Sequence, residues 1–124
     1  MRSSLLLLLG LASCAPTSVQ PDTDVFAKEI AGRAQGATSS CISTFGGQNL
    51  RVVNPATVAY GQGKTIYINH LRSACPALSQ FNTIIVEMQG SQYCSGDHVR
   101  GLEPGAIIPG PTCFLGNWTA YTKP

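Results

Sequence analysis

Two histidines, five cysteines and a few clustered glycines hold whatever chemistry this chain of 124 residues performs. His70, Cys75, Cys94 and His98 are the residue types of a Cys₂His₂ zinc site, but they lack the close Cys-x₂-Cys pair such sites use. Asp97-His98 could orient a serine nucleophile, yet no Gly-x-Ser-x-Gly turn is present to expose one. The plainer reading makes Asp97 an acceptor of backbone N–H groups at a turn after Gly96, and His98 a surface strand residue. Gly61-Gln62-Gly63-Lys64-Thr65 ends like a phosphate loop, but Val58 stands where the leading glycine belongs and a strand follows where a helix is needed. Trp118 and Tyr121 could form a ligand platform. A lone Trp in a chain this small is more often a core anchor.

The elements that must position these residues read as mainly β. Asp22, Thr23 or Asp24 can cap a short helix through Val25, Phe26, Ala27 and Ile30, with Gly32 or Gly36 ending it. Beyond Cys41, short β-branched and aromatic runs alternate with turn residues. Strands are predicted at Leu50 to Val53, Thr57 to Tyr60 and Thr65 to Asn69, with Ile66 and Ile68 on one face and Tyr67 on the other. His70 to Asn82 reads as a loop pinned by a disulfide. Thr83 to Met88 is a strand with Ile84, Val86 and Met88 on one face, and Gln92 to Leu102 a strand bent at Gly96. Glu103 to Pro111 is an exposed excursion, and Cys113 to Tyr121 closes the domain. This spacing predicts a small antiparallel β barrel or sandwich with a short N-terminal helix.

The amino terminus sets where that domain works. Met1-Arg2 is positive, Leu5 to Leu11 apolar, and Ala12-Ser13 small, the order of a secretory signal and too short a run to span a bilayer. Leu11-Ala12-Ser13-Cys14 resembles the lipobox of bacterial lipoproteins. The resemblance implies a signal peptide at 1–13, cleavage before Cys14, and acylation of Cys14 by diacylglycerol and a further fatty acid such as palmitate. Several acyl chains hold a protein firmly on a membrane where one holds it marginally. Ala15 replaces the aspartate that retains such lipoproteins at the inner membrane, which points to the outer membrane, periplasmic face. Residues 14–24 then form the lipidated cysteine and a flexible tether, and 25–124 a single domain.

An oxidising compartment changes the cysteine arithmetic. With Cys14 assigned to lipid, Cys41, Cys75, Cys94 and Cys113 form an even set, read as two disulfides and not as metal ligands. Closing the sheet brings its first and last strands together, which favours Cys41 with Cys113 and Cys75 with Cys94 among the three pairings four cysteines allow. Charged residues are 11% of the chain against 44% hydrophobic, with 13 Gly and 8 Pro, which suits a turn-rich folded β domain over a disordered one. The net charge of +2 falls further when Arg2 leaves, and Lys64, Arg72 and Arg100 are scattered, so nucleic acid is not an expected partner. Nor is a nucleotide.

Cys41-Ile42, Asn69-x-Leu71, Cys75-Pro76-x-Leu78, Cys94-x-Gly96-Asp97 and Cys113-x-Leu115-Gly116 together resemble a proteobacterial envelope family catalogued as a domain of unknown function. The likeness spans roughly Cys41 to Thr119, with Ala77 where members usually carry glycine. It implies no catalytic or binding residue. The expected protein is a non-enzymatic lipoprotein acting as a binding or structural module, with the membrane and an envelope protein as partners. It needs no metal and no cofactor beyond the lipid on Cys14. An inhibitor of a lytic enzyme such as lysozyme is the first alternative and a small envelope hydrolase the second.

Overall fold

The computed structural model describes residues 22–47 and 49–124. The expected signal peptide, the lipobox-like stretch with Cys14, and the expected tether as far as residue 21 lie outside the described residues. Helix α1 (Asp22–Glu29) takes in the last three residues of the stretch expected as tether, because a carboxylate such as Asp24 suits the positive first turn of a helix and Lys28 its last. Ten strands follow among the described residues: β1 (Ala34–Ser39), β2 (Cys41–Ser43), β3 (Arg51–Asn54), β4 (Thr57–Tyr60), β5 (Thr65–His70), β6 (Thr83–Glu87), β7 (Gln92–Cys94), β8 (His98–Leu102), β9 (Cys113–Phe114) and β10 (Trp118–Thr122).

They form three antiparallel sheets, with orders β1-β10-β5-β4-β3, β2-β7 and β6-β8-β9. The protein is mainly β, as expected, but the sheets do not close into a barrel. The run from Gln92 to Leu102 divides at Gly96, whose φ of 91° turns the chain out of one small sheet and into another. Leaving the sheets open also corrects the disulfide pairing. Cys41 bonds Cys94 and Cys75 bonds Cys113, in place of Cys41 with Cys113 and Cys75 with Cys94. The expected pairing needed the first and last cysteine strands to meet. Instead β2 pairs with β7, setting Cys41 directly opposite Cys94, while β9 joins β8.

Alternation along the five-stranded sheet gives it two buried faces. Ile66, Ile68, Ala59, Val53 and Tyr121 point one way, and Phe26 of α1 and Ile30 in the turn just after it cover them. Val58, Tyr60 and Trp118 point the other way, against Leu78, Val99, Leu115 and the Cys75–Cys113 bridge. Each fully buried aliphatic side chain here contributes about 1.5–3 kcal/mol.

Asn69, Ala77 and Gly116 serve this packing. The Asn69 side chain, fully buried, donates to the Gly116 carbonyl and accepts from the Gly116 N–H, both at 2.8 Å. A Cβ on Gly116 would stand 2.3 Å from the His70 carbonyl oxygen, so only glycine lets the link between β9 and β10 approach the end of β5. Ala77 fits because glycine stands at both neighbouring positions, 101 and 110.

Candidate functional site

The histidines are held apart. His70 ends β5, with its Nδ1 3.1 Å from Thr57 Oγ1 and its ring edge-on to Phe26. His98 begins β8 in another sheet, with its Nδ1 3.2 Å from Glu87 Oε2 across the strand pair and its ring edge-on to Phe114. Cys75 and Cys94, the other two members of the zinc constellation, sit in different disulfides. Among the described residues no group of three or more His, Cys, Asp or Glu could hold a metal ion. Asp97 is buried and its carboxylate accepts the Cys94 N–H at 2.8 Å, while the Asp97 N–H returns to the Cys94 carbonyl. That closes the turn around Gly96, the turn role expected for it, and keeps the carboxylate from His98.

The phosphate-loop candidate is a tight turn at Gly61 and Gly63, both with positive φ, and strand β5 follows it. Trp118 and Tyr121 are buried on opposite faces of β10, so each anchors a core and no shared platform exists.

A concavity does form elsewhere. A cavity of about 610 Å³ lies between β3 and β6. One wall is Asn49, Leu50, Arg51 and Val52, four successive residues running into β3; the other presents Ile84 and Val86 of β6 and Met88 just past its end, spaced by two in sequence. Tyr93 lies at its base, edge-on to Tyr60 at 5.7 Å and stacked on Trp118 at 6.4 Å, tying the groove to the main core. Burial and the neighbouring Tyr60 push the Tyr93 hydroxyl above its ordinary pKa of 10.0. Ser79, Asn82 and Thr83 add neutral hydrogen-bonding groups at the rim. Arg51 is the charged residue of the lining, and its guanidinium is already engaged: Nε donates to Glu29 at 2.8 Å, Nη1 to the Gly61 carbonyl at 2.7 Å, and Nη2 to Glu29. The groove is therefore electrically quiet.

A second, more apolar cavity of about 300 Å³ shares Val52 with the groove and is lined by Val25, Val53, Leu78 and Phe81. Phe81 is 83% exposed there. Sequence reading singled out none of these residues as a site. The one local signal was Met88, an apolar residue prolonging the Ile84-Val86 face past the end of its strand and left 43% exposed. No protein-family model, curated protein or solved structure matches the chain.

Proposed function

We propose that the chain is an exported binding protein of the bacterial envelope, held on the periplasmic face of the outer membrane by lipid on Cys14 and working without catalysis. The groove between β3 and β6 carries the reading. It is a mixed apolar and neutral-polar concavity of ligand size. The two histidines stand in different sheets, and Asp97, although it lines the same shallow hollow as His98, is bonded to the Cys94 N–H while His98 is bonded to Glu87. The lipobox resemblance supplies the anchor and the two disulfides suit an oxidising compartment.

Two measurements test it. In a bacterial host, radiolabelled palmitate should enter the wild-type chain and sediment with membranes, and Cys14→Ser should abolish both. Affinity capture from envelope extract should retain a component on the wild-type protein that Met88→Arg, which plants a charge in the groove, fails to retain. Equal retention by the two would exclude the groove.

A second reading, inhibition of a lytic enzyme such as lysozyme, draws on the Glu103 to Pro111 loop. Ile107 and Ile108 project from it, 93% and 85% exposed, while Gly110 ties its stem to the Gly101 carbonyl at 2.8 Å. A firm loop with an apolar tip suits insertion into an enzyme cleft. Purified protein should then slow lysozyme, and Ile107→Ser with Ile108→Ser should relieve the inhibition.

A further inference from the structure

We infer that the groove takes an extended, uncharged polypeptide segment, which adds as a sixth strand on the free edge of β3. This rests on the groove being the binding site and names what fills it.

β3 is an end strand: β4 pairs with one edge, and no strand among the described residues pairs with the other. In an antiparallel pair every second residue directs its N–H and C=O away from the partner, so between Arg51 and Val53 this edge offers outward backbone groups that no strand among the described residues takes up. Side chains along a strand alternate between faces. A cavity touched by both Arg51 and Val52, adjacent residues of β3, and by Asn49 and Leu50 leading into it, therefore runs along the edge of β3 and not over one of its faces. The occupant that matches a row of alternating donors and acceptors is another strand, as in peptide recognition by strand addition.

The facing wall agrees in period. Ile84, Val86 and Met88 recur every second residue, about 6.6 Å apart, the spacing of same-face side chains on an incoming strand. Backbone pairing would come from β3 and side-chain sites from β6. Arg51 is already neutralised by Glu29, so no lining group would compensate a buried charge on the segment, and uncharged sequences are selected. The opposite end of the sheet lacks this arrangement. β1 is irregular between Gln35 and Thr38, and all six of its residues are exposed.

The test uses the purified full chain and a displayed library of random heptapeptides, followed by synthesis of a selected binder methylated at each backbone nitrogen in turn. Strand addition predicts at least a tenfold loss of affinity at alternate peptide positions and little at those between. It also predicts slowed amide exchange at Leu50 to Val53 on binding, and at least a tenfold weakening by Met88→Arg. Peptide methylation leaves the protein's own fold untouched. Binding that is insensitive to methylation, sensitive without a period of two, or protective elsewhere would overturn strand addition. So would a library that yields no binder weakened by Met88→Arg. If envelope capture still depends on Met88 in any of those cases, the groove survives as the site and only its occupant is wrong. A dimer of this chain that the peptide dissociates would replace the foreign segment with a second copy.

Discussion

Two tyrosines and a tryptophan under the groove carry the sharpest expectations at the scale of single residues. Tyr60 Oη and Trp118 Nε1 are buried without a hydrogen-bond partner among the described residues. A hydroxyl stripped of water and left unpaired costs about 1–3 kcal/mol. Tyr60→Phe should therefore leave the urea midpoint unchanged or raise it; a clear fall would reveal a partner. Tyr93 answers to pH. Its hydroxyl is neutral in both folded and unfolded chains below pH 10.0, so its stabilising effect is complete there. Above that pH the unfolded chain gives up the proton while the folded one, its pKa raised, keeps it. Stability must then fall as pH climbs through and beyond 10.0, and Tyr93→Phe should flatten that part of a denaturation-against-pH curve. Because Tyr60 contributes to the shift, Tyr60→Phe should also move the Tyr93 titration, followed by ultraviolet absorbance, down toward the ordinary value.

Among the elements, the two bridges differ in shelter. Cys75 and Cys113 are buried in the main core, whereas Cys41 and Cys94 join two short strands that are half-exposed. Limiting reductant followed by alkylation and mass mapping should open Cys41–Cys94 first. Replacing both Cys75 and Cys113 by Ala should cost about 2–5 kcal/mol and exceed the cost of losing the other pair. Strands β3 to β6 were legible because they are short runs rich in Val, Ile and Tyr separated by Asn, Pro and Gly turn residues. β1 was not, since all six of its residues are exposed and its Ala-Gln-Gly-Ala-Thr-Ser run has no apolar period to read. The roles of Asp97 and Trp118 could be read from residue type and surroundings. The bridge pairing and the groove could not. Each depends on which strands end their sheets, and no local stretch of sequence encodes that.

For the molecule as a whole, a helix lies on one face of the five-stranded sheet and the bridge-bearing sheets lie on the other, leaving the groove open at a sheet edge. The bridges interleave along the chain, Cys41 reaching past Cys75 to Cys94, and Cys75 past Cys94 to Cys113. A cut at any peptide bond between Cys41 and Cys113 is thus spanned by at least one covalent link. One after the exposed Phe81 is spanned by both. Chymotrypsin-nicked protein should run as one band on a non-reducing gel and as two after reduction, with the groove walls still joined. Backbone scission at an exposed loop between Cys41 and Cys113 would thus not be the end of the protein, because neither fragment could drift away from the other.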